Sequence, residues 1–305
     1  SANFGRGDNM NDQELVGYGE LFIVALIWGA TFVAAKHALA VLNPVSLAFA
    51  RFFISSLFFI PIIFSERKKG NSIEKEDIKT IILLGLLSVT FFYVFQFLGL
   101  EYTTATNVSL LIALIPIFTT GISSKMLKEK IKPAKLIGLL VSFLGVGLVI
   151  TNGKLNLSTR INDLIGAGCI LLNVLCWSLY TVIGKKILKK YPSKIITAHS
   201  VVWGTALMIP MALIWGSVKE VIFLDLTRWL SLLYLGILGS FIAYLLWYDG
   251  LKRINASTAS SFLYFQPLVT IVVAHFWLGE KITPFIIIGG ILIISGVYFI
   301  ADYQS

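Results

Sequence analysis

The chain has 305 residues, 57% hydrophobic and only 13% charged, with a formal net charge of +9. Soluble domains carry about a quarter charged residues, so this chain cannot dress its surface for water. A soluble enzyme, a nucleic-acid binder and a disordered regulator are all disfavoured, and the basic excess reads as loop charge around a bilayer.

A spanning helix needs about 20 mainly apolar residues. Ten runs qualify in chain order: Leu21–Leu39, Pro44–Phe64, Ile78–Leu98, Ala105–Ser124, Pro133–Thr151, Leu164–Gly184, Ile195–Trp215, Trp229–Tyr248, Ala256–Leu278 and Pro284–Ile300. They are too long and too continuously apolar for the alternating strands of a barrel. The first run does not read as a cleaved signal peptide, because it is long and follows an acidic segment. Ser1–Asn9 reads as an expression scar ahead of a start at Met10. Cys169 and Cys176 lie two turns apart on one helix, roughly 10 Å, too far for a disulfide.

The two halves repeat. Trp28 and Lys36 match Trp177 and Lys185 at a spacing of 149, and Pro44 matches Pro192 at 148. Gly85, Tyr93, Gly99, Pro116, Glu129, Pro133, Gly138 and Gly145 match Gly236, Tyr244, Gly250, Pro267, Glu280, Pro284, Gly289 and Gly296, all at 151. A unit of five helices is odd, so successive units enter the membrane in opposite senses. The expected organisation is a tail at 1–16, a first repeat at 17–152, a linker at 153–163, a second repeat at 164–302 and a tail at 303–305.

Loop charge agrees. With the N-terminus inside, the tail and even-numbered loops hold eighteen Lys and Arg, against six outside: Lys36, Lys154, Arg160, Lys219, Arg228 and Lys281. That bias places both termini in the cytoplasm of a multi-pass cell-membrane protein. Equivalent loops carry opposite bias, as an inverted repeat requires. Inverted repeats are common in transporters, which bind solute near the midplane.

Ten helices in this arrangement, with Trp28-Gly29 echoed by Trp177-Ser178, resemble the EamA-type exporters of the drug/metabolite transporter superfamily. The Gly99 and Gly250 helix ends, the Ala105 and Ala256 starts, the Pro116 and Pro267 kinks, and the Lys128-Glu129 and Gly279-Glu280 pairs carry the likeness. The resemblance implies an all-α polytopic fold of ten transmembrane helices in two inverted five-helix repeats. It also implies a secondary transporter exporting amino acids or related metabolites through a central cavity by alternating access. Multidrug efflux is the alternative. A receptor or assembly factor would leave the deep polar–aromatic residues unexplained, and an intramembrane enzyme would need a polar catalytic cluster facing the bilayer, which the sequence does not offer.

No acidic residue falls at the centre of a span, which counts against a buried proton-coupling carboxylate. Arg51 is the internal charge, about 10 Å from the outer end of its helix. It reads as an anion contact in the pathway or as a snorkelling stabiliser. His199, seven residues past Pro192, is its repeat mate and reads first as a helix-to-helix bond, with a proton relay as the alternative. Lys36 and Lys185 read as snorkelling, with a role at a gate as the alternative. Trp28, Tyr93, Trp177, Tyr180, Tyr244, Trp247, Tyr248 and Tyr264, with Gln96 and Asn107, are candidates for a polar–aromatic cavity wall suited to small amphipathic solutes. Pro116 and Pro267 each free a backbone carbonyl and act as hinge or kink. Gly138, Gly145, Gly289 and Gly296 form a packing stripe. Glu129 and Glu280 position helix ends beside Lys130 and Lys281. No phosphate loop, metal spacing or nucleophile–base set is present. The expected partners are a small solute and lipid, with no nucleic acid, cofactor or metal; a monomer is compatible with the sequence.

Overall fold

The computed structural model describes residues 12–102, 111–151, 153, 161–216, 218–278 and 282–302. All regular structure among them is helical. Helix α1 is Asp12–Leu39, α2 is Pro44–Lys68, α3 covers 75–102, α4 is Ile115–Met126 and α5 is Pro133–Thr151. Helix α6 is Ile161–Ile187, α7 is Ser193–Trp215, α8 is Leu226–Arg253, α9 covers 256–278 and α10 is Pro284–Asp302. Nine helices among the described residues are long and apolar enough to cross a membrane. The fourth predicted span, Ala105–Ser124, is described only from 111, where it ends as α4.

Local chemistry sets these elements. In lipid the backbone must bond to itself, which selects helix for every apolar run. Asn43 caps α2 by accepting the Val45 N–H at 2.8 Å, with Pro44 in the first helical position. Helix α1 starts well before its apolar run, and Asp12 and Glu14 suit its amino end. Pro116 and Pro267 sit at the starts of Ile115–Met126 and Gln266–Leu278; Phe262–Phe265 before the second is a tight 3₁₀ turn. The prolines therefore begin the second half of a broken helix rather than bend a continuous one.

Helix pairing has the exchange symmetry of a twofold axis. α1 packs on α8 as α6 packs on α3, α1 on α9 as α6 on α4, and α2 on α8 as α7 on α3. α2, α4 and α5 each pack against their own counterparts, α7, α9 and α10. With five helices per unit, that axis lies in the membrane plane, and the fold is two inverted five-helix repeats. Both repeats widen into a π-helical segment at matching places, Leu86–Thr90 in α3 and Tyr234–Ile242 in α8.

The glycine stripe is the tightest crossing. A Cβ on Gly145 would lie 2.6 Å from the Gly289 carbonyl, and one on Gly289 would lie 2.6 Å from the Gly145 carbonyl. Small residues there let α5 and α10 touch backbone to backbone.

The helix ends define two faces. The amino ends of α1, α3, α5, α7 and α9 and the carboxyl ends of the others form one, called the N-face. Lys190 pins it across the halves, with Nζ 2.7 Å from Asp77 and 2.5 Å from Glu74. The Tyr191 hydroxyl donates to Asp77 at 2.7 Å. Asp77, then Glu74, hold the Lys190 ammonium well above the usual lysine range.

Candidate functional site

At the seam between the halves α1, α2, α3, α6 and α8 each contribute rings. Trp28 meets Trp177, Tyr244 and Trp247 at centroid separations of 5.2, 5.8 and 5.5 Å. Trp177 touches Tyr180 at 5.1 Å, and Tyr180 stacks on Tyr248 at 4.9 Å. Phe52 bridges Tyr93 at 5.2 Å and Tyr244 at 5.7 Å. Edge-to-face and offset contacts at these spacings are favourable beyond area burial. The rings meet each other, where the sequence suggests that they line an open cavity.

Polar atoms in the cluster divide into two kinds. Trp28 Nε1 donates to the Gly239 carbonyl at 2.8 Å, and the Tyr244 hydroxyl donates to the Ser88 carbonyl at 3.0 Å. Both carbonyls lie in the π-helical segments, whose wider turn leaves acceptors outside the regular helix pattern. The indole N–H groups of Trp177 and Trp247 are buried without a partner among the described residues. Buried donors are normally satisfied, so these two are available to an acceptor at the seam.

Arg51 lies at the edge of the cluster and is only 7% exposed. Its guanidinium carbon stands 5.3 Å from the Phe52 ring centroid and 5.5 Å from that of Tyr93, and Nε donates to the Ser240 hydroxyl at 2.8 Å. Among the described residues no carboxylate pairs with it. A buried cation needs a partner, and ring faces supply only part of one.

Two sequence candidates stand elsewhere. Tyr264 packs with Leu139, Val146 and Ile293 in the α5–α10 cluster, on the far side of α9 from the rings. His199 donates from Nδ1 to the Ile195 carbonyl on its own helix at 2.9 Å, and lines a cavity of about 320 Å³ with Trp203 and Arg67. It is not the partner of Arg51 by symmetry. Helix α2 starts at Pro44 and α7 at Ser193, and the same spacing registers Arg51 with Ser200. Gly236 and Gly85 agree, since added Cβ atoms there would meet the Arg51 and Ser200 carbonyls at 3.1 and 2.5 Å. Asn107 and Glu280 lie outside the described residues.

Gln96 and Gln266 are half-buried along the second parts of α3 and α9, and neither side-chain amide bonds to a described residue. An amide within a span favours a partner or water over hydrocarbon. The first six residues of α9, Ala256–Ser261, are all buried, and this segment packs on α4; no described residue of Gln266–Leu278 is fully buried. α9 is thus tightly packed at its N-face end, where it closes the seam, and less covered toward the other end. Beside the closure, a cavity of about 680 Å³ is lined by Gln13, Glu66, Ser193, Asp249, Lys252 and Arg253, among others. Asp249 there accepts from the Ser193 hydroxyl and does not reach the rings.

Glu129 departs from the sequence reading. Its carboxylate accepts from the Ala256 N–H at 2.8 Å and the Ser257 hydroxyl at 2.7 Å, so it caps α9 from the opposite repeat instead of serving its own helix end. Lys135, counted with the loop charges, is buried on α5, with Nζ 2.5 Å from the Ser257 oxygen. Phe52, Ser240 and Phe92, whose ring stands 5.2 Å from that of Trp177, are not singled out by sequence. Phe52 follows Arg51 directly, and that adjacency was its one signal.

A duplicated, inverted bundle of apolar helices closing on a polar-edged aromatic seam defines a polytopic membrane transporter. The EamA-like transporter family matches residues 15–151 and again residues 164–301, and the chain belongs to that family. It is 36% identical over 284 residues to an uncharacterized transporter of Archaeoglobus fulgidus, covering 93% of this chain and 96% of that one. It is 30% identical over 274 residues to the uncharacterized transporter YyaM of Bacillus subtilis, covering 90% and 89%. A probable terminal-alkyne amino-acid exporter of Streptantibioticus cattleyicolor is 25% identical over 284 residues, covering 92% and 91%. A solved crystal structure superposes with a TM-score of 0.79 at 18% identity over 94% of this chain and 95% of that one, a likeness of fold alone.

Proposed function

We propose that the protein is a secondary transporter exporting amino acids or related small carboxylate-bearing metabolites by alternating access between its repeats, with both termini cytoplasmic. Arg51 carries this reading: a buried guanidinium, positioned by Phe52, Tyr93 and Ser240, lacks a carboxylate partner among the described residues. A solute carboxylate supplies one. The indole N–H groups of Trp177 and Trp247, without a partner among the described residues, offer further donors, and the rings accept an apolar solute part. Multidrug efflux is less well supported, because Arg51 repels a lipophilic cation. The amino-acid exporter among the relatives supports the direction and the solute class.

Counterflow of labelled amino acids, neutral analogues and cationic drugs into liposomes, with and without a pH gradient, tests the reading. Losing a charge-assisted bond worth about 1.5–3 kcal/mol should cost Arg51→Gln roughly ten- to hundredfold in carboxylate transport. Equal loss for amide analogues, or flux of cationic drugs alone, overturns it.

A further inference from the structure

Lys185, at the carboxyl end of α6, reaches the end of α8. Its ammonium donates to three carbonyls there: Leu251 at 2.5 Å, Lys252 at 3.1 Å and Ile254 at 2.6 Å. The last carbonyls of a helix have no partner within it and carry the negative end of its dipole. One ammonium on three of them is a strong clasp on the α8–α9 corner. From the other side Glu129 holds the first N–H groups of α9, the positive end of that helix. The corner is gripped by a cation on its outgoing end and an anion on its incoming end, where the seam is closed.

The twin of Lys185 is Lys36, at the end of α1. The correspondence of Lys36 with Lys185 and of the Gly99 end of α3 with the Gly250 end of α8 gives Lys36 the carboxyl end of α3 as its matching target. Lys36 is exposed and bonds to none of the described residues. It lies at the opposite face. One lysine is engaged where the seam is shut, and its twin bonds to no described residue at the other end of the bundle.

We infer that Lys185 and Lys36 are alternating latches: Lys185 clasps the end of α8 when the N-face is closed, and Lys36 clasps the end of α3 when the opposite face closes. In an inverted repeat the two end states exchange the conformations of the halves, so each latch releases as the other engages. Both are positioning residues that act on helix ends and do not touch solute.

Spin labels test this in lipid nanodiscs on a Cys169→Ser/Cys176→Ser background. One pair, Met126→Cys/Lys252→Cys, reports across the N-face; the other, Leu98→Cys/Phe276→Cys, reports across the opposite face. Lys185→Met should shift the N-face distances longer and the opposite-face distances shorter. Lys36→Met should deplete the short opposite-face population and lower turnover several-fold while solute binding is retained. Unchanged distances in Lys185→Met, or the same shift in both variants, overturn the latches. If Lys185→Met does not fold, Lys36→Met decides alone, since its side chain is exposed; unchanged distances and turnover there overturn the proposal. Alternating access is itself the reading proposed above, but the distances need no solute, so a failed latch is told apart from a failed solute assignment.

Discussion

Trp28 and Trp177 hold the same place in the two repeats, and their rings meet edge to face at 5.2 Å with planes 79° apart. Equivalent residues of a twofold arrangement touch only on or near its axis, so this pair lies along that axis, as Gly145 and Gly289 do. The symmetry breaks at the nitrogen. Trp28 Nε1 is bonded to the Gly239 carbonyl, and Trp177 Nε1 bonds to none of the described residues.

That difference predicts unequal responses to one conservative change. Trp28→Phe strands the buried Gly239 carbonyl and should cost about 1–3 kcal/mol. Trp177→Phe removes an unpaired donor and should cost less, while weakening solute binding. Thermal unfolding of the two variants in one detergent, beside solute affinity, checks both halves of the statement.

Gly145 and Gly289 allow no side chain. Gly145→Val should push α5 from α10 and destabilise by about 1–3 kcal/mol, as overpacking does. Gly289→Val should do the same. The pair together should cost less than the sum, because one displaced crossing serves both. Unfolding midpoints of the three variants measure it.

Glu129 joins the repeats at the N-face. Glu129→Ala leaves the Ala256 and Ser257 N–H groups without their acceptor and the nearby Lys135 ammonium without compensation. About 1.5–3 kcal/mol should be lost. Lys135→Met in the same chain should restore part of that, which a double-mutant cycle reads directly.

Asp225 caps α8 at the opposite face, accepting from the Arg228 N–H at 2.8 Å and the Thr227 hydroxyl at 2.9 Å. The Arg228 N–H first, then the Thr227 hydroxyl, hold its carboxyl below the ordinary range. A lowered carboxyl pKa stabilises the fold above the unfolded value of about 3.9 and loses that contribution as pH falls through the folded one. Protection of the 226–233 amides, taken relative to their intrinsic exchange rates at each pH, should therefore fall on acidification below about pH 4, and Asp225→Ala should abolish the dependence.

The fold was legible in the sequence because bilayer physics leaves few options: apolar length fixes the spans, and the Trp, Pro and Gly spacing exposes the duplication. The aromatic centre was legible as a group, since depth along a helix can be counted from its ends. Direction around the helix cannot, which is why Tyr264 and His199 were grouped with rings they do not reach. Phe52 was lost among 22 phenylalanines. The roles of Glu129 and Lys185 escaped because both act on backbone atoms of other helices, and no side-chain pattern records such targets.

The wide turns at Leu86–Thr90 and Tyr234–Ile242 bear on how this scaffold tolerates change. Such a turn takes up an extra residue while the helix beyond it keeps its register. Removing one residue from either would rewind the helix to regular pitch and leave Tyr93 or Tyr244 facing the centre, at the loss of the Ser88 or Gly239 acceptor. In a regular stretch of a spanning helix the same deletion swings everything beyond it by about 100°. Within the spans, shortened variants should therefore survive best at these two turns, and a deletion scan of the whole chain would recover both as islands of tolerance.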